Sequence, residues 1–271
     1  MVACSISCQP HYMSSSKLLK YGSDDLQTIR VYRHDSGNHL SIIFIHGGAW
    51  RDPRNTFNDF EELVGKLPST INTFGINYRL SPAVKHPAHL EDVVSAIEYL
   101  AKNYKVENVG LVGHSVGATL ALQILNYKTI LPGLERPLGI KMKFLVFLDG
   151  IYDVPKLVEE YPTYSSFVNE AFKTKQDYMR ATPVSSEMPQ FDILVEKCVI
   201  LLVQSTEDEL LSVQQTELMA DFLQAKSIPF EKHLGAFGAH EQVYRHHKVA
   251  KLITDAIGAN LDGLVRARPQ N

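Results

Sequence analysis

The segment Val112-Gly113-His114-Ser115-Val116-Gly117-Ala118 lies between an apolar run beginning at Asn108 and a helix-forming stretch, Ala118-Thr-Leu-Ala-Leu-Gln-Ile-Leu. A serine with glycine two residues before and two residues after it, between strand and helix, predicts a turn too sharp for large flanking side chains. Such a turn lifts the Ser115 hydroxyl clear of a sheet edge. It also aims the next backbone N–H and a helix N-terminus at whatever the hydroxyl meets. Small residues around a serine are common, so the pentapeptide alone is weak. Its position between a buried strand and an amphipathic helix is what constrains the chain.

The rest of the sequence repeats the same rhythm. Apolar runs of strand length occur at Ser41–His46, Thr73–Tyr78, Val109–Val112, Lys143–Leu148, Cys198–Gln204 and Phe230–Leu234. Most are continuously apolar, as expected for strands covered on both faces. Helical periods fall between them: Leu90, Val93, Val94, Ile97 and Leu100 make one apolar face, and Leu120, Ile124 and Leu125 another. Strands alternating with helices predict an α/β fold with a mostly parallel, twisted sheet and helices on both faces. Residues 151–195 break the rhythm with Tyr161, Tyr164, Phe167, Phe172 and Tyr178, and are expected to form a cap-like insertion. At 271 residues the chain has the length of one large domain.

Composition narrows the function classes. A net charge of -3 with scattered basic residues gives no footprint for nucleic acid or an anionic membrane surface. No apolar stretch approaches the ~20 residues that span a bilayer. Residues 1–16 lack the charged and apolar regions of a secretion signal and are expected to be a frayed lead-in. The three cysteines, Cys4, Cys8 and Cys198, suggest neither a disulfide framework nor a zinc site, so a reducing, cytoplasmic setting is expected. No metal or organic cofactor is called for. The sequence does not fix the subunit count, and a homodimer is compatible with it.

A serine hydroxyl is a poor nucleophile at neutral pH and needs a base that is itself oriented by a carboxylate. On sheets that carry a serine at such a turn, the chain order is serine, acid, histidine. The run Cys198–Gln204 is followed by Ser205-Thr-Glu-Asp208-Glu, and Phe230–Leu234 by Gly235-Ala-Phe-Gly-Ala-His240. Both loops fall at the C-terminal edge of the sheet, the ligand side of open α/β folds. Position selects Asp208 and His240. His233 falls in a strand, and His246 and His247 in the last helix. Glu207 and Glu209 adjoin Asp208, and Asp149 in Leu148-Asp-Gly stands one strand earlier, either as a second candidate acid or as a simple turn former.

A second motif, His46-Gly47-Gly48-Ala49-Trp50, directly follows a buried strand. Two glycines there let backbone N–H groups turn toward a developing negative oxygen that a Cβ would obstruct. A Gly-Gly turn explains the glycines but not their flanking His and Trp, nor the matching serine turn downstream. The expected oxyanion hole is the N–H groups of Gly47, Gly48 and Val116. His46 is read as a structural hydrogen-bonding residue with Trp50 packed beneath it, and Arg79 as the partner of a carboxylate such as Asp92.

The combination HGGAW, NYRLSP, His86-Pro87 and GHSVGA resembles the esterase/lipase branch of the α/β-hydrolases, and within it the fungal kynurenine formamidases. The likeness extends through HGGAWRDPRNTFNDF, FLDGIYDVPKLVEEYP and STEDELLSVQQT to the segment around His240, so that it covers roughly residues 40–255. GAFGAH before His240 is more glycine-rich than that pattern leads one to expect. The resemblance implies Ser115 as nucleophile, Asp208 as acid and His240 as base, in agreement with the positional argument. It also implies a small-molecule substrate, N-formyl-L-kynurenine, hydrolysed to L-kynurenine and formate in tryptophan breakdown. Tyr152, Tyr161, Tyr164, Phe167 and Phe172 could line a site for the arylketone, or simply form cap core. A broad short-chain carboxylesterase shares every catalytic residue, and a non-catalytic binding protein on the same fold would be expected to lack one of them.

Overall fold

Eight strands form one sheet: β1 (Lys17–Lys20), β2 (Thr28–Arg33), β3 (Ser41–Ile45), β4 (Asn72–Ile76), β5 (Asn108–His114), β6 (Lys141–Leu148), β7 (Val199–Ser205) and β8 (Glu231–Gly235). Their order is β1-β2-β4-β3-β5-β6-β7-β8. The computed structural model describes residues 17–134, 136–182, 184 and 198–266. From β4 across to β8 all neighbours run parallel, while β1 and β2 pair antiparallel at one edge.

Side chains alternate across each parallel strand into two cores. Ile43 and Ile45 of β3, Leu145 and Phe147 of β6 and Ile200 and Leu202 of β7 enter one core. Ile42 and Phe44, Val146 and Leu148, and Leu201 and Val203 enter the other. Nine α-helices lie among the described residues: α1 (Glu61–Lys66), α2 (Ala88–Tyr104), α3 (Val116–Gln123), α4 (Tyr127–Ile130), α5 (Val154–Glu160), α6 (Ser165–Ala171), α7 (Lys175–Ala181), α8 (Gln214–Ala225) and α9 (His247–Arg266). Leu63 and Val64 of α1 and Val249 and Ile253 of α9 complete one core. The apolar stripes of α2, α3 and α8 complete the other. Burying each such side chain stabilises the fold by about 1.5–3 kcal/mol, so removing any helix would strip one face of the sheet. The topology is that of an α/β-hydrolase.

All six expected strands are present, with ends shifted by a residue or two. Thr73–Tyr78 lies at Asn72–Ile76, and Phe230–Leu234 at Glu231–Gly235. Strands β1 and β2 are additions. β1 is largely exposed at the sheet edge, and β2, paired between β1 and β4, is half buried with polar residues interspersed, so neither reads as an apolar run. A second correction concerns the helix after Ser115. All eight residues of α3 are buried, and it breaks into a 3-10 turn at Ile124–Asn126, so it is a core helix rather than an amphipathic one. Within 151–195, helices α5, α6 and α7 are observed, and residues 183 and 185–197 lie outside the described residues, as do 1–16 with Cys4 and Cys8. Among the described residues no helix is long and apolar enough to cross a membrane.

Candidate active site

Ser115 joins β5 to α3 with φ 54° and ψ −123°, a conformation that costs a non-glycine residue roughly 1–3 kcal/mol. The flanking glycines are required by contact. A Cβ on Gly113 would lie 2.4 Å from the Gly117 carbonyl oxygen, and one on Gly117 would lie 2.1 Å from that of Ile45. The Ser115 N–H donates to the Leu148 carbonyl of β6 (3.0 Å), which ties the strained turn to the middle of the sheet.

Asp208 and His240 arrive from the loops after β7 and β8. His240 Nδ1 lies 2.7 Å from Asp208 Oδ2, and the Asp208 side chain is fully buried. Asp208 Oδ1 accepts from the N–H groups of Leu210 (2.8 Å) and Leu211 (2.9 Å), and Oδ2 also accepts from Gln204 Nε2 (3.1 Å). Burial pushes the Asp208 carboxyl upward, but the bond to His240, the charge of that ring and the two backbone N–H donors outweigh it and hold it below the usual carboxylate range. The adjacent acids orient the histidine loop. Glu209 accepts from the His240 N–H (2.9 Å) and Glu207 from the Gly238 N–H (3.0 Å). Among the described residues no hydrogen bond joins the Ser115 hydroxyl to the imidazole, although both groups line one cavity.

The double-glycine loop presses directly on the serine. A Cβ on Gly47 would lie 3.0 Å from Ser115 Cβ, and one on Gly48 (φ +86°) 2.9 Å from Asn55 Cβ. The turn continues through Ala49 (φ 50°) and Trp50 (φ 58°), both left-handed. Among the described residues no acceptor takes the N–H of Gly48 or of Val116. His46 is fully buried and neutral, since burial pulls its ring down to about 4 against the weaker pull of the Gly47 carbonyl. Its Nδ1 bonds that carbonyl (3.1 Å), and the Tyr78 hydroxyl donates to the carbonyls of His46 and Gly47 (3.0 Å each). What stacks on His46 is Tyr78, with ring centres 4.4 Å apart, and not Trp50. Trp50 instead packs against Phe167 and Phe172, so it binds the loop to α6. Arg79 does pair with the buried Asp92 (2.7 Å).

Ser115 and His240 line one cavity of about 280 Å³ together with Gly48, Ala49, His114, Ile151, Tyr164, Phe167, Leu210 and Leu211. Its mouth carries Arg51, Asp52, Arg54 and Glu241. Of the five aromatics expected around a ligand, Tyr164 and Phe167 face this space. Tyr152 is buried in the core, Tyr161 stacks on Tyr164 and Phe172 packs on Trp50. Three groups, His114, Asp149 and His240, offer metal-ligating atoms within 4.8 Å of one another. In this cluster His114 Nε2 bonds the His240 carbonyl, His240 Nδ1 bonds Asp208 and Asp149 Oδ1 accepts from the Ser205 N–H, while His114 Nδ1 and Asp149 Oδ2 are buried with no partner among the described residues.

Sequence reasoning missed one member of that cluster. His114, the variable residue of the serine motif, is kept neutral by burial and donates from Nε2 to the His240 carbonyl (2.9 Å). It therefore fixes the base loop against the serine strand. Its place beside the serine was the only available signal, because the contact spans 126 positions.

Known proteins resemble this chain in sequence and in fold. The BD-FAE family matches residues 29–223. Kynurenine formamidase of Scheffersomyces stipitis is 43% identical over 88% of this chain and 97% of its own length. Kynurenine formamidase of Debaryomyces hansenii is 35% identical over 89% and 99% respectively. Among solved structures, esterase B of Lactobacillus rhamnosis superposes with a TM-score of 0.74 at 14% identity, covering 93% of this chain and 88% of that one.

Proposed function

Because the chain belongs to the kynurenine formamidase family of α/β-hydrolases, we propose that it hydrolyses N-formyl-L-kynurenine to L-kynurenine and formate through an acyl-enzyme on Ser115. The observation that carries the reading is the Asp208–His240 pair set beside a strained serine against an open double-glycine loop. In acylation, His240 Nε2 takes the Ser115 proton as Oγ attacks the formyl carbon. The oxygen of the tetrahedral intermediate then lies against the N–H groups of Gly47, Gly48 and Val116, where losing one donor typically costs ~10²–10³ in rate. On collapse His240 gives its proton to the departing aniline nitrogen, and kynurenine leaves. Water, deprotonated by the same ring, attacks the formyl-serine and releases formate. Asp208 stays ionised and holds the imidazole in the tautomer that presents Nε2.

A formyl group needs almost no acyl pocket, whereas the leaving group is an aryl ketone. Tyr164, Phe167, Leu210 and Leu211 offer the apolar wall such a ring needs, and α5, α6 and α7 act as a small cap behind it. Rates should therefore fall as the acyl group lengthens from formyl to acetyl to butyryl. Overpacking a close-fitting site costs about 1–3 kcal/mol, or roughly 5- to 150-fold in rate. A carboxylesterase would gain about 0.8 kcal/mol for each CH₂ buried. Assays of N-acyl kynurenines and matched aryl esters separate the two, and faster turnover of butyryl substrates would favour the esterase.

The charged mouth suits the substrate's amino acid group. Arg54 is forked onto Asp52 (2.6 Å), whereas Arg51 sits over the Phe167 ring and meets Glu170 at 3.2 Å with both partners over a third exposed. Arg51 can thus share a substrate carboxylate. Arg51→Met keeps the stem on Phe167, and is expected to raise KM for N-formylkynurenine by about three- to tenfold, the worth of a part-exposed charged contact. The KM of a neutral aryl ester measured in parallel should not move. Equal effects on both substrates would remove Arg51 from carboxylate binding.

A further inference from the structure

Behind the Asp208–His240 pair lies a second carboxyl that the mechanism above does not use. Asp149 follows β6, has no solvent exposure and holds a left-handed φ of 43°. One oxygen, Oδ1, accepts from the Ser205 N–H of β7 at 2.7 Å. The other, Oδ2, is buried 4.0 Å from His240 Nδ1, and no donor among the described residues reaches it. A buried carboxylate oxygen without a donor is among the costliest arrangements in a protein interior. A carboxylic acid in the same place needs no donor, because it is one. Asp208 Oδ2 lies 2.7 Å from the same His240 Nδ1, so the two carboxyls converge on one ring nitrogen.

We propose that Asp149 is a positioning residue held as the neutral acid, whose O–H donates to Asp208 and keeps that carboxylate seated on His240. The inference rests on the Ser115–His240–Asp208 reading for its catalytic consequence, but not for the protonation itself. The titratable groups around Asp149 come from several elements: Asp208 and Glu209 after β7, His240 after β8, His114 at the end of β5, and the Tyr152 hydroxyl beyond Gly150. Burial above all, and then the Asp208 charge, push the Asp149 carboxyl up to about 9, against the opposing pull of the Ser205 N–H. Ionising Asp149 would replace the donor with a second negative charge against Asp208, and so loosen the bond that orients the histidine.

The test uses the full chain and a neutral fluorophosphonate, which reacts only with an activated serine and carries no titrating group of its own. Wild-type labelling of Ser115 should fall on an alkaline limb with a midpoint near the value of about 9 set by Asp149. Asp149→Ala should slow labelling by about 5- to 150-fold, the rate equivalent of losing one buried hydrogen bond. Asp149→Asn places an N–H₂ donor where the acid O–H stood and tolerates the left-handed backbone. It should rescue labelling to within about threefold of wild type and abolish the alkaline limb. An Asn variant that keeps the limb, or is as slow as the Ala variant, overturns the proposal.

A second arm needs no activity. A carboxyl kept neutral by folding binds a proton that the unfolded chain releases above about pH 4, so this group weakens the fold as pH rises toward its folded value. The Tm of Asp149→Asn should therefore gain on wild type progressively between about pH 5 and about pH 9. A Tm difference that stays flat or shrinks over that range also overturns the proposal. Absence of wild-type labelling together with the expected Tm trend would count against the serine reading alone.

Discussion

Replacing Ser115 with alanine is expected to leave the fold intact and lower turnover of N-formylkynurenine by about 10⁴- to 10⁶-fold. The side chain makes no bond that holds the turn. The Ser115 N–H to Leu148 and its carbonyl to Ala118 are backbone contacts that alanine keeps. His240→Ala should lose a similar factor, and the double variant little more than either single one, because groups that act as a unit are not additive. Steady-state kinetics with circular dichroism as a check on folding measure this. More than a tenth of wild-type activity in either single variant would remove that residue from the proposed chemistry.

The second large effect is at the acid. Asp208→Asn should cost about 10⁴ in turnover. The local bonds explain why. Leu210 and Leu211 donate to Oδ1, so the amide oxygen of an asparagine is drawn there. Its NH₂ then faces both Gln204 Nε2 and His240 Nδ1, two positions that the carboxylate had served as acceptor. The ring must turn its unprotonated nitrogen toward the new amide, leaving Nε2 protonated and unable to take the serine proton. The comparison with Asp149→Asn is decisive at the same site. Asp208 lies 2.7 Å from His240 Nδ1 and Asp149 4.0 Å, so an inactive Asp149→Asn beside an active Asp208→Asn would move the acid one strand earlier.

The parts of the molecule legible in the sequence are those in which neighbouring residues record the physics. Gly113 and Gly117 mark the serine turn because carbonyl oxygens occupy the space where their side chains would lie, and two-sided burial leaves β3 through β7 as apolar runs. Chain order and strand ends then point to Asp208 and His240. Less was legible where a residue's role depends on a distant contact. His114 reads as the variable position of a motif until the fold brings the His240 carbonyl to it. Trp50 reads as packing beneath its own loop, but its partners Phe167 and Phe172 come from a segment more than a hundred positions away. Asp149 reads either as a second candidate acid or as a turn former beside a glycine, and only the packing of β6 against β7 and the histidine loop shows that one of its oxygens lacks a donor. Strands β1 and β2 escaped because β1 is largely exposed at the sheet edge and β2 intersperses polar residues, so neither makes an apolar run.

The measurement closest to the central claim is simultaneous detection of formate and kynurenine from N-formyl-L-kynurenine, with wild-type and Ser115→Ala protein. The account predicts equimolar release by the wild type, with kcat/KM above about 10⁴ M⁻¹s⁻¹, the lower end of ordinary enzymatic efficiency, and no release above background by the variant. Rapid hydrolysis of short aryl esters with no formate from N-formylkynurenine, or formate release that survives Ser115→Ala, would contradict it.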